Sequence, residues 1–599
     1  MSPRAWRWSL PLLLAGFAAF AFSALRIATD ASWQDTEAFL GHGLYIAEHG
    51  GVWGALRDSF NGSFPIVERH PLYLAMLSTF AERTPEYFFN AKLLNLACGT
   101  LLLAVFVWMV ARRYGRGPGL LAGLLYAVSS SLVTASSHVN HETQFTLLTL
   151  CTWWFLTGGS RAPQVAAGAT GAGADDVPQS TARWALAGAF LGLAFLTKSP
   201  AALIGVAIVA AGLWRQRLDF LAHPRVWVLI AMTGLLSAPL LVRNLIAFGT
   251  PVYEGMNSSI SWFDDWGELG KEHSVLHYDR YGITTIEKNG LPTAADYWRS
   301  HSVLQIGKRL LKGVVHEAGV VSRDALSPPY PLPRIVAAAW GYVVLALVVI
   351  GWWRRRRSFE GALVFFWTAA FFAFFGWDYM FPDLRYLAPL VPVWLALAAP
   401  VGWGLLQRLL RRPFASRAMV LGCALLAIST CGWTAANLLR GEAHPKLYVS
   451  PSYASLIEWL NAHGQEGDRI LLGPTSDFYG LIWLVERPIA VIQMPSVDTL
   501  DAFQRYLRER RVRYFMMNTE NLYGSGRRLE AAMQPYAGLA ADGSIVEHQP
   551  LPGWRRVFED PSVPRRFYIY ESAAFAGSPA AAMPQPAAPV AAAGAVTGG

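Results

Sequence analysis

Residues 334–377 read RIVAAAWGYVVLALVVIGWWRRRRSFEGALVFFWTAAFFAFFGW, two apolar runs separated by arginines at positions 354–357. A helix of about 20 apolar residues is long enough to cross the hydrocarbon core of a bilayer. Arginine is costly inside that core, so the four arginines mark a loop at a membrane surface. The stretch therefore predicts a helical hairpin that crosses a membrane twice.

The same pattern recurs along most of the chain. Hydrophobic residues make up 53% of the sequence and charged residues only 15%, whereas soluble domains carry about 25% charged residues. We therefore predict a polytopic α-helical membrane protein with about eleven transmembrane helices. The apolar runs are 8–28, 88–111, 118–136, 143–158, 183–197, 200–214, 226–247, 334–353, 360–377, 386–406 and 418–438.

The first run also has features of a signal peptide, with a basic start and small residues at Ser23 and Ala24. Its apolar stretch is longer than the 7–15 residues typical of such peptides, so we expect an uncleaved helix. The four cysteines all lie in apolar runs without metal-ligand spacing, which favours a packing role.

The net charge of +9 does not indicate nucleic-acid binding, because the arginines cluster in short segments at helix ends. With a cytoplasmic N-terminus, every predicted inside segment is basic, as the positive-inside rule requires. The sequence thus predicts an integral protein of the cytoplasmic (inner) membrane, in contact with its lipids. Its predicted extracytoplasmic segments are 29–87, 137–142, 248–333, 378–385 and everything after 439.

Three regions follow along the chain: a transmembrane domain at 1–444, a soluble domain at 445–575 and an Ala/Pro/Gly-rich disordered tail at 576–599. Strands alternate with helices in the second region, which predicts a small α/β domain. No glycine-rich nucleotide motif follows a strand there, so we assign it no cofactor. The predicted strands are 469–472, 489–494, 513–517 and 567–570, and the helices are 453–463 and 497–511.

Two ionisable clusters lie in the first outside segment. Asp35-Thr36-Glu37 follows the first helix, and Glu68-Arg69-His70-Pro71-Leu72 comes later in the same loop. Charged groups at a membrane boundary are costly unless they are solvated, paired or functional. Either cluster alone is compatible with a solvated loop.

More polar groups fall on the same predicted side of the membrane. If these groups line one cavity, its acidic and basic side chains face each other. The groups are the short loop Ser137–Glu142, the turn Thr197-Lys198-Ser199-Pro200, Arg243 near the end of the seventh run, and the segment Asp378–Tyr386 with Arg385.

Together these segments resemble the GT-C class of membrane glycosyltransferases, in particular the protein O-mannosyltransferase and lipid A aminoarabinose transferase branch. Asp35-Thr36-Glu37 resembles its Asp-Glu signature with Thr36 inserted, and Glu68–Leu72 resembles its acid-base-Pro-Pro stretch. Gly192–Pro200 is similar to the helix and turn of that branch, and Arg385-Tyr386-Leu387-Ala388-Pro389 resembles its Arg-Tyr-x-x-Pro segment. The likeness covers roughly residues 20–440 in order.

The resemblance implies transfer of a sugar from a polyprenyl-phosphate carrier to an acceptor hydroxyl outside the cytoplasm, by a single inverting displacement. Such a hydroxyl needs a general base, for which Asp35 is the candidate and Glu37 the alternative. Positive groups would offset the charge of the departing phosphate. The candidates for binding donor and phosphate are Arg69, His70, Lys198, Arg243, Arg385 and Tyr386, and a divalent cation held by Glu68 or Glu142 could take the same role.

Three other functions remain open at this point. A transporter or flippase of a lipid-linked sugar would show repeats and ionisable groups near the membrane midplane. A non-catalytic scaffold would not depend on Asp35. A ligase that moves a whole glycan from a lipid diphosphate would have a similar outline. The sequence leaves open the sugar, the oligomeric state, and whether the acceptor is a glycan, a lipid or a protein.

The segment 248–333 contains a predicted amphipathic helix over 294–312. We expect this loop either to cover the active site or cradle the acceptor, or to lie on the bilayer surface.

Overall fold

The computed structural model describes most of the chain. The described residues are 3–25, 36–157, 180–253, 261–264, 276–286, 292–328, 333–377, 384–439, 447, 449–472, 477–493, 499–518, 533–561 and 566–574. Asp35 and the tail 576–599 lie outside them.

The first half of the chain is helical. In chain order its helices are α1 Pro3–Leu25, α2 Thr36–Glu48, α3 Gly51–Phe60, α4 Pro71–Ser78, α5 Pro85–Tyr114, α6 Arg116–Ala127, α7 Ser130–Ser137, α8 Glu142–Leu156, α9 Thr181–Phe195, α10 Ala201–Gln216, α11 Asp219–Ala222 and α12 Pro224–Phe248.

The second half adds strands. Its elements are β1 Leu276–Tyr278, β2 Thr284–Ile286, α13 Ala294–Ser300, α14 Val303–Val320, α15 Arg334–Arg355, α16 Phe359–Trp377, α17 Leu390–Leu410, α18 Arg412–Leu439, α19 Pro451–His463, β3 Arg469–Leu472, β4 Ala490–Gln493, α20 Leu500–Glu509, β5 Tyr514–Asn518, β6 Ala537–Leu539, β7 Ile545–Glu547, β8 Trp554–Glu559 and β9 Phe567–Ser572. A π-turn at Val321–Ala325 and 3-10 turns at Leu384–Leu387 and Asp477–Leu484 complete them.

Each of the eleven apolar runs coincides with a helix or with the bent pair α6–α7. Among the described residues, seven helices are long and apolar enough to cross a membrane, or eight if the bent pair is one span. The other three runs form the shorter helices α8, α9 and α10, which have 15, 15 and 16 residues. The prediction of a polytopic helical membrane protein is therefore confirmed.

The first helix belongs to this bundle. Leu13 and Phe17 are fully buried, and Thr430 of α18 donates a hydrogen bond from its hydroxyl to the Gly16 carbonyl at 2.9 Å. Contacts of this kind stabilise helix pairs in a membrane, where apolar burial alone cannot drive their association.

Small residues bring α9 against α12. A Cβ at Gly188 would lie 2.4 Å from the Leu229 carbonyl oxygen, and one at Gly192 would lie 2.7 Å from that of Thr233. Glycines four residues apart allow two membrane helices to touch along their backbones. The turn between α9 and α10 follows at the predicted place around Thr197–Pro200.

The helices α6 and α7 bend by 65° at Val128–Ser129. The π-turn that follows α14 reaches this break: Ser129 donates to the Ala325 carbonyl at 2.7 Å, and the Ser130 amide donates to Ser327 O at 2.9 Å. Backbone groups freed at a helix break inside a membrane need such partners.

The amphipathic segment 294–312 is two helices rather than the single predicted one. Thr293 and Ser302 each form a capping box, with Asp296 and Gln305 respectively. The second box starts a new helix at Val303 because its side chains satisfy the free amides of the first turn. The new helix then continues to Val320.

The described strands of the soluble region form a seven-stranded sheet in the order β2-β1-β4-β3-β5-β9-β8, and β6 pairs with β7 separately. Strand β3 is parallel to β4 and β5, and the other pairings are antiparallel. The predicted α/β class and its four strands are confirmed. The sequence analysis did not find β6, β7 or β8, nor that β1 and β2 join the sheet from the segment 248–333.

One face of the sheet shares its core with the first outer loop. Buried Ile470, Val491 and Met516 belong to the same apolar cluster as Leu44 of α2 and Tyr87 of α5. The opposite face packs on α20 through Phe503 and Leu507. The soluble domain therefore rests directly on the helices that follow the first acidic motif.

Candidate active site

The second motif is tied to the α9–α10 turn. The Leu72 amide donates to the Leu196 carbonyl at 2.9 Å, and His70 Nδ1 lies 2.5 Å from the Phe195 carbonyl oxygen. Because that carbonyl only accepts, His70 carries a proton on Nδ1. Pro71 opens α4 at its first position, where its missing amide costs nothing.

Lys198 and Glu142 form a buried ion pair. Lys198 Nζ lies 2.6 Å from Glu142 Oε1 and 4.6 Å from the centre of the Tyr386 ring. Glu142 is only 1% exposed, and its Oε2 has no hydrogen-bond partner within the described residues. The pair joins the start of α8 to the α9–α10 turn.

His141 lies near three of the cationic groups, Lys198, Arg385 and Arg69. Its Nε2 is 3.7 Å from Glu142 Oε1. Burial lowers its pKa well below the usual value, and the charges of Lys198, Arg385 and Arg69 lower it further. The imidazole is therefore neutral at neutral pH.

His70 is neutral for the same reason. Burial lowers its pKa to about 4, against the opposing effect of the hydrogen bond to Phe195, and Arg243, Lys198 and Arg69 lower it further. The sequence analysis grouped His70 with the positive candidates. In the structure the positive charge lies instead on the lysine and the arginines around it.

Arg243 is buried near the outer end of α12 and is 1% exposed. It donates from Nη1 to the Ile66 carbonyl and from Nε to Asn244 Oδ1 at 2.9 Å. Its Nη2 is buried without a hydrogen-bond partner in the part of the chain that the structure describes. A buried guanidinium nitrogen in that state is suited to an anion.

Phe39 connects the first motif to the other loops. The Arg69 guanidinium lies 5.5 Å from the centre of its ring, and the His141 ring is 5.0 Å away, edge to face. Thr36 of the acidic motif also donates to the Val139 carbonyl at 3.3 Å. The start of α2 therefore lies against the His141 loop.

Tyr386 and Arg385 reach the site from the turn before α17. The Tyr386 ring stacks on Phe375 at 4.9 Å, and the Arg385 guanidinium lies 5.3 Å from the Tyr386 ring. Arg385 is 8% exposed. The late Arg-Tyr segment is thus beside Lys198, far from it in sequence.

The acidic candidates are less closely grouped. Glu37 is half-buried in the first turn of α2, while Asp35 lies outside the described residues. The pKa of Tyr253 is raised by burial and, to a smaller extent, by the negative charge of the Glu68 carboxylate. Glu142 is engaged by Lys198. No group of three or more His, Cys, Asp or Glu side chains in the described ranges could hold a metal ion.

The sequence analysis included His141 only as part of the polar loop Ser137–Glu142 and gave Phe39 no role. The available signal was position alone, since His141 directly precedes Glu142 and Phe39 follows the Asp35–Glu37 motif after one intervening residue. Only the fold brings their rings together.

One known protein family matches part of the chain. The sequence profile of a family described as "Dolichyl-phosphate-mannose-protein mannosyltransferase" matches residues 70–242, which include His70, Glu142 and Lys198. No curated protein gives a significant match to the sequence.

Solved structures match over most of the chain. ArnT from Cupriavidus metallidurans bound to undecaprenyl phosphate is 13% identical, covers 96% of this chain and 100% of its own, and has a TM-score of 0.51. The Archaeoglobus fulgidus oligosaccharyltransferase in the apo form is 14% identical over 90% of this chain and 74% of its own, with a TM-score of 0.51. The same enzyme tethered with an acceptor peptide containing the NVT sequon has a TM-score of 0.50, at 14% identity over 91% and 74%.

At this level of sequence identity the structural likeness shows the fold alone. The family match lies within the helical bundle that carries the site. The protein therefore has the fold of the GT-C glycosyltransferases, a polytopic helical membrane domain that carries a small soluble α/β domain.

Proposed function

We propose that the protein is a glycosyltransferase of the cytoplasmic (inner) membrane, which moves a sugar from a polyprenyl-phosphate carrier to an extracytoplasmic acceptor hydroxyl. One observation carries the proposal: Arg69, Lys198, Arg243 and Arg385, from four separate segments, surround two neutral imidazoles. Such a concentration of positive charge in a buried site suits a phosphate group. The ArnT structure described above, which contains undecaprenyl phosphate, supports a lipid-linked donor.

The donor's phosphate is the leaving group. As the bond between the anomeric carbon and the phosphate oxygen breaks, the electron pair stays with the phosphate and its negative charge increases. Fixed positive groups in a water-poor site stabilise that charge in the transition state. We assign this role to Arg69, Lys198, Arg243 and Arg385, with Tyr386 holding Lys198 in place.

The acceptor hydroxyl attacks the anomeric carbon from the opposite face, which inverts its configuration. Its proton passes to a carboxylate that acts as general base. We assign this role to Asp35, with Glu37 as the alternative. The contact of Thr36 with Val139 supports a base from this motif, because it brings the motif to the loop that holds His141 and Glu142.

The neutral histidines have a different task. The hydrogen bond from Nδ1 to Phe195 holds the His70 ring and leaves Nε2 of the neutral imidazole as an acceptor. A sugar or acceptor hydroxyl is a suitable donor for that nitrogen. His70 thereby orients a hydroxyl group without adding charge.

The direct test is donor cleavage. The full-length protein is purified in detergent with lipid and incubated with a panel of polyprenyl-phosphate sugars, with and without envelope extract as acceptor source. Wild type is compared with Asp35→Asn and Glu37→Gln. Asp219→Asn is the matched control, since Asp219 is exposed at the opposite end of the bundle.

We expect one donor to be consumed, Asp35→Asn to abolish turnover in a folded protein, and the control to remain active. Loss of turnover only in Glu37→Gln would move the base to Glu37. If no donor is consumed but one is bound and crosses proteoliposome membranes, transport replaces transfer. The consumed donor names the sugar, and fractionation of the extract shows whether the acceptor is a glycan, a lipid or a protein.

A further inference from the structure

The turn between β1 and β2 has a rigid conformation. The Asp279 carboxylate accepts hydrogen bonds from the amides of Tyr281 at 2.8 Å and Ile283 at 2.9 Å. Gly282 has φ 71°, a left-handed conformation that glycine adopts at no steric cost. The turn therefore presents a fixed surface to the helix below it.

This turn sits directly on α2. A Cβ at Gly41 would lie 2.2 Å from the Tyr281 carbonyl oxygen, so the two backbones touch there. His42, which is 2% exposed, hydrogen-bonds from Nε2 to the Gly282 carbonyl at 3.2 Å. Ala38 lies under Gly282. These contacts cover the first two turns of α2, immediately after the acidic motif.

A second group of contacts holds the other end of α2; we name Glu48, Arg83, Arg280 and Tyr281 the clasp. Arg83 donates to both oxygens of Glu48, at 2.9 and 3.2 Å. Tyr281 donates its hydroxyl hydrogen to Glu48 and accepts from Arg280 at 2.6 Å. Although partial burial opposes it, the hydrogen bonds from Arg83 and Tyr281 keep the pKa of Glu48 below its usual value. The last turn of α2 is thus held by charge-assisted bonds.

The same residues are bonded to the soluble domain. Arg83 Nη1 donates to the carbonyls of Trp483 at 2.6 Å and Val485 at 2.9 Å, and Arg280 donates to that of Glu486. Strand β1 pairs with β4, with His277 opposite Ile492. The hairpin is therefore an edge of the C-terminal sheet and a support for α2 at once.

We infer that the turn 279–283 and the clasp position α2, and with it the acidic motif, so that the C-terminal domain forms part of the frame of the active site. Gly41, His42 and Tyr281 are positioning residues. The catalytic consequence rests on the proposed function, whereas the structural coupling does not.

Replacement of Gly41 by alanine tests the catalytic consequence. The added Cβ has no room beside the Tyr281 carbonyl, so either the turn or α2 must move. A displacement of about 1 Å at a reacting group can reduce a rate on the order of 100-fold. We expect kcat to fall by about that factor while the donor KM stays within about twofold, because the phosphate-binding cations lie on other elements.

Gly205→Ala is the matched control, since Gly205 is also helical and a Cβ there meets nothing within 4 Å. It should leave both constants unchanged. An unchanged kcat in folded Gly41→Ala, or an equal loss of kcat and donor affinity, would overturn the inference.

Tyr281→Phe tests the coupling without a steric change. It removes the hydroxyl that joins Arg280 to Glu48 but keeps the ring. In the full-length protein we expect faster hydrogen exchange of the α2 amides, with unchanged exchange in α9. Unchanged α2 exchange would overturn the coupling. If wild type consumes no donor, the proposed function fails, yet this comparison still decides the structural claim.

Discussion

Lys198 Nζ lies 2.6 Å from Glu142 Oε1, in an ion pair whose carboxylate is almost fully buried. The two residues are 56 positions apart in the chain and belong to different helical hairpins. A buried pair of this kind fixes the relative position of its two segments, because separating the charges leaves each without compensation.

The first prediction concerns this pair. Lys198→Met or Glu142→Leu alone should each cost about 3–5 kcal/mol, because each leaves one buried charge unpaired. The double variant should recover much of that loss, since neither partner then remains as an unpaired charge. Stability is measured by denaturation in a fixed detergent. Additive losses in the double variant would mean that the two charges do not interact.

The second prediction concerns Arg243. Arg243→Gln removes a buried cation and should weaken binding of polyprenyl phosphate by roughly 10- to 100-fold, as loss of a charge-assisted hydrogen bond costs about 1.5–3 kcal/mol. Arg243→Lys should recover only part of the affinity, since it lacks the planar fork of donors. Binding is measured in nanodiscs. Arg215→Gln, exposed on α10, is the control and should bind as wild type does.

The third prediction concerns pH. The pKa of His70 is about 4 in the fold and about 6.5 in an unfolded chain, so folding favours the neutral ring. This contribution to stability is complete above about pH 6.5 and is lost as the pH falls toward 4, by about 3 kcal/mol. His141 changes stability in the same direction.

A melting-temperature series between pH 7 and 4 measures the effect. His70→Asn cannot take up the proton but can still donate to the Phe195 carbonyl. Its melting temperature should therefore fall less steeply with acidification than that of wild type. Parallel curves for the two proteins would rule out this role of His70.

The fourth prediction concerns the soluble domain. Arg513 joins β5 to its neighbours through ion pairs with Asp468 and Glu571, both at 3.0 Å. Arg513→Met should destabilise the domain by about 3 kcal/mol, because Asp468 is left largely buried without its cation. Protease resistance of the C-terminal region measures this. Arg487→Met, on a loop of the same domain, should have little effect, and equal losses would contradict the prediction.

The helices were the most predictable part of the fold. Residues 334–377 form α15 and α16 as their apolar runs indicate, because a membrane imposes one length and one composition on any helix that crosses it. Strands β1 and β2 could not be predicted in the same way. They have three residues each, too few for a periodic signal, and their partner β4 lies more than 200 residues later in the chain.

In the candidate site, too, some features follow from the sequence and others only from the packing of distant segments. The sequence by itself determined which residues are ionisable, that they fall at helix ends, and that they share one predicted side of the membrane. Only the tertiary structure decided that Lys198 pairs with Glu142, that His70 and His141 are neutral, and that the sheet rests on α2. Charge and hydropathy are local properties of the chain, whereas burial and the distance between charges depend on packing between distant segments, and those two quantities set the chemistry of the site.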